Sequence, residues 1–225
     1  MPENKLEADS IFCSFGHRQL LTDIYVSCKT GEIVGLLGRN GCGKTTLLKI
    51  IFGTLSTHNK HIRINGKVYH EPYKSPDLLA YLPQHDFLPV NTKLHRIIDL
   101  YHTDPEKREA IKLDGRIQKH LTKYADELSK GELRYFELQL LLQKDVKFLL
   151  LDEPFSGIEP LYVEYIEELL RSHLGDKGFI ITDHDYQSVL RVSNRIILLS
   201  EGYCRPITYM KELYQWGYIP ANALN

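Results

Sequence analysis

The segment from Gly38 to Thr45 constrains the fold of this chain more than any other feature. It reads GRNGCGKT and fits the spacing G-x-x-x-x-G-K-[ST]. The apolar run 33–37 before it is typical of a buried strand, and residues 46–51 after it favour a helix. A strand, a glycine loop and a helix start gather backbone N–H groups and the positive helix end around one point. The segment therefore predicts a site for the phosphates of a nucleoside triphosphate.

The side chains of this loop have distinct expected tasks. Lys44 is expected to reach the β- and γ-phosphates of ATP, and the Thr45 hydroxyl is expected to hold Mg²⁺. The sequence leaves two interpretations of the Cys42 thiol. Its oxidation would block nucleotide binding, or Cys42 is simply a small residue tolerated in a tight loop. The further candidate contacts to the nucleotide in this loop are Gly38, Asn40, Gly41, Cys42, Gly43 and Thr46.

Composition narrows the class of protein. A chain of 225 residues suits one α/β domain, and its net charge of −1 gives no reason to expect nucleic-acid binding. The four cysteines lie far apart without metal-binding spacing, which fits a reducing cytosol. Residues 1–5 are polar and no apolar run approaches the ~20 residues of a membrane span. We therefore expect a soluble chain, with any membrane part supplied by another protein.

The hydrophobic pattern predicts how the elements follow one another. Residues 9–30 favour two antiparallel strands, and Asn65-Gly66 favours a hairpin turn. Between Thr92 and Lys123 the apolar residues recur at helical spacing, which predicts two or three short helices. Alternating strands and helices in the rest predict a mainly parallel sheet. Its further strands are expected at 78–82, 147–151, 178–182 and 195–200, with helices at 128–143, at 162–173 and after Thr182.

Two carboxylates end one of these buried strands. Asp152 and Glu153 follow the run 148–151, and ligands of open α/β sheets bind at such carboxyl ends. Asp152 is a candidate Mg²⁺ ligand opposite Thr45. Glu153 is a candidate general base for the water that attacks the γ-phosphorus. A carboxylate capping the next helix is the alternative that the pair alone leaves open.

Five further motifs lie before, between and after the glycine loop and the Asp-Glu strand. The segment LSKGE at 128–132 is similar to the LSGGQ signature of ATP-binding cassette (ABC) proteins, and it lies upstream of the Asp-Glu strand as in that family. Gln84 in YLPQ resembles the Q-loop glutamine, and His184 in TDH resembles the switch histidine. Residues 156–159 resemble the D-loop, and Phe15, 23 residues before Gly38, resembles the aromatic that stacks on adenine. Together with the glycine loop, these motifs cover residues 8–204 and identify the chain as a member of the ABC family.

The resemblance implies a fold and a role for each of several side chains. It implies a P-loop NTPase core (about 1–84 and 128–225) with a mainly parallel sheet, an antiparallel β subdomain, and a helical subdomain at about 85–127, all within one ABC ATPase domain. Gln84 would contact the metal shell and the attacking water, and His184 would contact the γ-phosphate and Glu153. Phe15 would stack on the base, although Phe12 or His17 could do so instead.

The resemblance also implies a site shared between two subunits. Ser129 and Gly131 would bind the nucleotide held by a second cassette, in a homodimer or an ABC heterodimer. Three residues depart from the family pattern: Lys130 replaces a glycine that could take a positive φ, Glu132 replaces the signature glutamine, and Glu159 stands where aspartate is usual. None of them removes a residue required for hydrolysis.

The function implied is the ATP-hydrolysing subunit of an ABC transporter, with ATP and Mg²⁺ as cofactors. Such a subunit would be cytoplasmic, peripheral at the inner face of the cell membrane through an integral membrane partner. The helical subdomain would pass motion to that partner, and the apolar segment 87–89 would either line the docking groove or belong to the core. Two alternatives remain: a soluble non-transport ABC ATPase acting on a protein complex, and a regulatory module with negligible turnover. Glu153 and His184 argue against the second of these.

Overall fold

The computed structural model of the protein describes residues 4–220. Ten strands lie within that range: β1 (Lys5–Phe15), β2 (Arg18–Lys29), β3 (Ile33–Leu37), β4 (Asn59–Ile64), β5 (Lys67–Tyr69), β6 (Leu79–Leu82), β7 (Phe148–Asp152), β8 (Gly178–Thr182), β9 (Arg195–Ser200) and β10 (Tyr203–Ile207). Eight α-helices accompany them: α1 (Lys44–Phe52), α2 (Leu94–Tyr101), α3 (Pro105–Lys112), α4 (Gly115–Gln118), α5 (Lys130–Leu142), α6 (Pro160–Ser172), α7 (Tyr186–Val192) and α8 (Met210–Gln215).

The central sheet has six strands in the order β10-β9-β3-β8-β7-β6. Strands β9, β3, β8, β7 and β6 pair in parallel, while β10 pairs antiparallel with β9 at one edge. The three inner strands β3, β7 and β8 are buried at every residue, as expected for parallel strands covered on both faces. Their carboxyl ends meet at one edge, which brings the glycine loop beside Asp152 and Thr182. The predicted α/β fold with a mainly parallel sheet is confirmed.

Alternate residues of the central strands feed two separate cores. On one face, Leu149 and Leu151 pack with residues of α2, α5, α6 and α7. On the other face, Phe148 and Leu150 pack with α1 and with a second sheet of strand order β2-β1-β4-β5. That sheet is antiparallel throughout, as predicted for residues 9–30 and the hairpin. Helix α1 is therefore held between two sheets, and the loop before it has a rigid support.

The segment between β6 and β7 contains the predicted short helices. In α2 the buried residues Leu94, Ile97 and Ile98 share one face, as the spacing i, i+3, i+4 requires. The side chains of Asp104 and Asp114 accept from the backbone N–H groups of the next helices, so both residues are helix N-caps. Helix α5 is longer and buried almost throughout, and it packs on α6, β6 and α4. The division into a core and a helical subdomain stays a prediction.

One strand of the central sheet was not predicted. The sequence predicted no strand after 195–200, whereas the structure has strand β10 before helix α8. A proline has no N–H to give to a ladder and therefore argues against a strand. Pro206 is accommodated because β10 is the edge strand, opposite Ile197 of β9.

Candidate active site

The glycine loop between β3 and α1 follows the conformation that its sequence predicts. Gly41 and Gly43 have φ angles of 73° and 110°, in the left-handed region that favours glycine. Helix α1 begins directly after Gly43, at Lys44 rather than at the predicted Thr46. The helix start is therefore presented to the loop, and its first N–H groups lack partners within the helix.

Lys44 is folded back over the loop. Its side chain is buried, and its ammonium group donates to the backbone carbonyls of Gly38 at 2.7 Å and Arg39 at 3.4 Å. Within residues 4–220, no carboxylate pairs with this ammonium. A buried cation that is satisfied only by carbonyl dipoles favours an incoming anion, since a full negative charge is a stronger partner.

Asp152 is held by three hydroxyl groups. Its Oδ1 accepts from Thr45 Oγ1 at 3.0 Å and from Thr182 Oγ1 at 2.8 Å, and its Oδ2 accepts from the Tyr81 hydroxyl at 2.8 Å. Burial raises the pKa of Tyr81, and the Asp152 charge raises it further. Because Asp152 is fully buried and opposite Thr182 in the β7–β8 register, its direction is fixed by the sheet. The predicted pairing of Thr45 with Asp152 is thus a direct contact.

Glu153 connects the other predicted catalytic side chains. Its Oε2 accepts from Gln84 Nε2 at 2.9 Å, and its Oε1 lies 2.7 Å from His184 Nε2. Its own backbone has φ 55°, and its N–H donates to the Thr182 carbonyl at 2.7 Å. A left-handed backbone is unfavourable for a side chain with a Cβ, by roughly 1–2 kcal/mol. This left-handed conformation turns the carboxylate out of the strand direction, toward Gln84 and His184.

These side chains line one cleft of about 330 Å³. Leu20 of β2 forms part of the wall, and no sequence motif had singled it out. Cys42 faces a neighbouring cavity, and burial raises the pKa of its thiol. The predicted residues in the cleft are Asn40, Gly41, Gly43, Lys44, Thr45, Thr46, Gln84, Glu153 and His184.

Phe15 lies outside this cleft. It is 55% exposed at the end of β1 and lines a separate depression with Phe12 and residues 56–59. Its cross-strand partner is Arg18, whose guanidinium donates to the Gly41 carbonyl at 3.3 Å. The turn between β1 and β2 therefore contacts the glycine loop. Stacking of Phe15, Phe12 or His17 on a base stays a prediction.

Ser129 and Gly131 form a second candidate anion site, and neither residue lines the cleft around Lys44. Ser129 caps α5: its Oγ accepts from Glu132 N, and Glu132 accepts in return from Ser129 N. Glu132 thus completes a capping box, a role that either glutamate or glutamine can fill.

Gly131 itself has no room for a side chain. A Cβ atom there would lie 2.6 Å from Glu159 Oε2 and 2.7 Å from the Tyr162 ring. Lys130 has helical backbone at the start of α5, so its position does not require the φ > 0 that glycine would permit. Its ammonium lies against Gly157. The signature segment and residues 157–159 are therefore in direct contact.

The end of the described chain returns to the glycine loop. Arg39 donates to the Gly217 carbonyl at 2.8 Å, and the Gly38 backbone hydrogen-bonds the Tyr218 hydroxyl. Trp216 lines a cavity of about 460 Å³ together with residues 39–42 of the loop. These contacts could not be found from motifs, because no motif includes residues 216–218.

The segment 83–90 joins the cleft to the helices. Gln84 is exposed, Leu88 is buried, and Phe87 is partly buried against the core and the Tyr101 ring. Leu88 therefore belongs to the core, the second of the two alternatives for segment 87–89. Pro89 is exposed.

Comparisons with known proteins agree with this geometry. A family model described as ABC transporter matches residues 21–156. A probable ABC transporter ATP-binding protein of Azorhizobium caulinodans is 34% identical over 89% of this chain and 75% of its own length. The lipopolysaccharide export system ATP-binding protein LptB of Acidithiobacillus ferridurans is 32% identical over 88% of this chain and 87% of its own length.

Solved structures show the same fold. The ATP-binding subunit of an ABC transporter superposes with a TM-score of 0.82 at 22% identity, and the match covers 97% of each chain. A nucleotide-free ATP-binding cassette from an ABC transporter superposes with a TM-score of 0.80 at 20% identity, over 96% of each chain. Among residues 4–220, no helix has the length and apolar character needed to cross a bilayer.

Asp183, next to the candidate switch histidine, allows a pH prediction. Burial raises its pKa from 3.8 to about 6, although its carboxylate accepts from Phe155 N and Asp185 N. Between these values the folded state keeps a proton that the unfolded state loses. The free energy of unfolding should therefore fall by about 2–3 kcal/mol as pH rises through this window.

Urea denaturation from pH 3.5 to 7 would measure this, with Asp183→Asn as the comparison. An amide can accept from only one of the two backbone donors, so Asp183→Asn also changes stability by an amount that does not depend on pH. The readout is therefore the change in the free energy of unfolding with pH. As pH falls, the parent should gain stability relative to the variant. Parallel curves for the variant and the parent would show that Asp183 ionises normally.

Proposed function

Since the chain belongs to the ABC transporter family, we propose that two such cassettes close around ATP and drive an integral membrane partner. The proteins of this family are ATPases, and this chain is one of them. One observation carries the proposal: the Glu153 carboxylate is held between Gln84 and His184 in the cleft that contains Lys44. The fold alone does not require a catalytic carboxylate. Hydrolysis needs a proton acceptor beside the bound phosphates, and Glu153 is placed to be that group.

In this proposal the glycine loop binds the triphosphate. The N–H groups at the start of α1 point at the phosphates, and the Lys44 ammonium exchanges its carbonyl partners for phosphate oxygens. The oxygens of Thr45 and Asp152 lie 3.0 Å apart, and a hydroxyl, one carboxylate and phosphate oxygens form the donor set that Mg²⁺ takes. Bound there, Mg²⁺ would neutralise charge on the β- and γ-phosphates.

Hydrolysis then needs a proton acceptor and a group that orients water. Glu153 would accept a proton from the attacking water, and the Gln84 amide, 2.9 Å from that carboxylate, would orient the same water. His184 lies on the other oxygen of Glu153 and is half-exposed, so it can reach the γ-phosphate from the open side of the cleft. The products are ADP and inorganic phosphate.

The position of the signature supports a shared site. Ser129 is exposed and lies outside the cleft of its own chain, at the N-terminus of the thirteen-residue helix α5. An exposed helix N-terminus favours a phosphate through its free N–H groups and its dipole. In the proposed dimer, Ser129 and Gly131 of one cassette would therefore face the ATP held by the other. Residues 85–127 would contact the membrane partner, which keeps the chain peripheral at the inner face of the membrane.

Removing the proton acceptor should stop turnover without preventing ATP binding. We expect Glu153→Gln to lower kcat for Mg-ATP hydrolysis by about 10²–10⁴-fold, the range of general-base contributions. The ATP-bound dimer should then persist and elute earlier in gel filtration. Glu109→Gln removes the same charge from an exposed site on α3 and is the matched control. A Glu153→Gln chain that stays monomeric with ATP would contradict the closing step.

Mixing two inactive variants tests whether the site is shared. Lys44→Ala should disable the loop, and Ser129→Arg should block the signature with a bulky side chain. In a mixed dimer, one site combines both defects and the other combines an intact loop with an intact signature. A 1:1 mixture should therefore regain roughly a quarter of the parent ATPase rate, given random pairing of equivalent subunits. If the mixture stays as inactive as each variant alone, the two-subunit site is wrong.

A pull-down tests the membrane partner. A tagged Glu153→Gln chain, expressed in its own organism and extracted in detergent with Mg-ATP, should co-purify an integral membrane protein, which mass spectrometry identifies. The Lys44→Ala chain serves as the comparison, because it lacks the ATP-bound state. Recovery of soluble proteins alone would favour the non-transport ABC ATPase instead.

A further inference from the structure

A buried ion pair lies on α5, two and five residues after the end of the signature segment 128–132. The Arg134 guanidinium and the Glu137 carboxylate face the same side of the helix, with Nη1 at 2.9 Å from Oε2. Their side chains are 2% and 0% exposed. Removing two charges from water is costly, and it is compensated only if their remaining donors and acceptors are satisfied. The partners that satisfy them indicate what the pair does.

Those partners all belong to one backbone segment. Arg134 Nη1 donates to the Pro83 carbonyl at 2.9 Å, and Nη2 donates to the Gln84 carbonyl at 2.8 Å. Glu137 Oε1 accepts from the Phe87 N–H at 3.1 Å. Three backbone groups between residues 83 and 87 are thus bonded to side chains of α5. The segment follows β6 and has no regular hydrogen-bond ladder of its own in this stretch.

The same segment carries the Gln84 side chain into the cleft. The Gln84 amide donates to Glu153 at 2.9 Å, while the Gln84 carbonyl is held by Arg134. A continuous set of hydrogen bonds therefore runs from α5 through one residue to the candidate base. The two ends of that residue are fixed by different elements, α5 and the end of β7.

We propose that Arg134 and Glu137 are positioning residues for hydrolysis, which hold the backbone of residues 83–87 on α5 and thereby aim the Gln84 amide at Glu153. The inference rests on the roles proposed above for Gln84 and Glu153. Because Ser129 caps the N-terminus of α5, a shift of this helix when the signature meets a second cassette is transmitted to the Gln84 amide. Contact of the signature with the ATP of a second cassette would then be linked, within one chain, to the alignment of the attacking water by Gln84.

The chemistry of arginine suits this task. A guanidinium is planar and directs several N–H donors in a fixed fork, so one side chain can serve two carbonyls and a carboxylate together. A lysine ammonium keeps the charge opposite Glu137 but is a compact donor on a flexible stem, and it cannot hold the same three acceptors in one plane. Arg134→Lys therefore loosens the Gln84 segment without leaving the Glu137 carboxylate unpaired.

A double-mutant cycle tests the proposal on the full chain with Mg-ATP. We expect Gln84→Ala to lower kcat by about 10- to 100-fold, and Arg134→Lys to lower it by about 10-fold, with little change in KM for ATP. The double variant should be no slower than Gln84→Ala, because Arg134 acts only through that amide. If the two losses in kcat multiply, Arg134 acts independently of Gln84 and the proposal is overturned.

Two further variants separate positioning from general stability. Glu137→Gln keeps only one acceptor oxygen, so it cannot serve both the Phe87 N–H and the Arg134 guanidinium, and it should lower kcat like Arg134→Lys. Gln139→Leu is the control on the same helix. Gln139 is buried but bonds Asp114 and Tyr135 instead of the Gln84 segment. It should lower Tm and leave kcat unchanged.

The outcomes also separate this inference from the proposed function. If Gln84→Ala retains the parent kcat, the role of Gln84 is wrong and the positioning role falls with it. If Gln84→Ala is slow but Arg134→Lys retains the parent kcat, the proposed function stands and only the positioning role is wrong. Loss of kcat in Gln139→Leu equal to that in Arg134→Lys would likewise show that any disturbance of α5 suffices.

Discussion

The hydrogen bonds to the Asp152 carboxylate are the interaction on which the rest of the site depends. Hydroxyl groups from β6, from β8 and from the start of α1 all converge on this one buried side chain. Their convergence requires β6, β7 and β8 to be parallel neighbours in a single register. The same contacts fix α1, and with it the glycine loop, relative to the central sheet. A shift of one residue in the register would turn Asp152 to the other face of the sheet.

One residue further along the chain, the backbone changes direction. The left-handed conformation of Glu153 ends β7 and points its carboxylate at Gln84 and His184. Two adjacent carboxylates thereby have different surroundings: Asp152 is enclosed by hydroxyl groups, and Glu153 lies in the cleft. The strain at Glu153 is offset by its backbone bond to Thr182 and by the packing of both strands. The separation of the two roles proposed above, metal binding for Asp152 and proton acceptance for Glu153, thus comes from local backbone geometry.

Much of this arrangement could be predicted from the sequence, because periodicity and motif order are local signals. The strands at 33–37, 178–182 and 195–200 have the predicted bounds, since an apolar run marks each of them and most of these residues are buried. Tyr81 and Thr182 were not predicted as partners of Asp152, because a local sequence pattern does not indicate which strands are neighbours in the sheet. Strand β10 was missed because Pro206 opposes a strand unless it lies at an edge. The left-handed backbone at Glu153 could not be predicted, because a glutamate gives no signal for it.

The contact of residues 216–218 with the glycine loop has an optical consequence. Trp216 is the single tryptophan of the sequence, and it lies beside residues 39–42 with the Arg205 guanidinium 4.1 Å from its ring centroid. It is half-exposed, so its emission responds to the polarity and charge around it. The protein therefore contains an intrinsic fluorophore next to the loop that is proposed to bind the triphosphate. If nucleotide binds there, we expect the emission of Trp216 to change, so binding can be measured without attaching a dye.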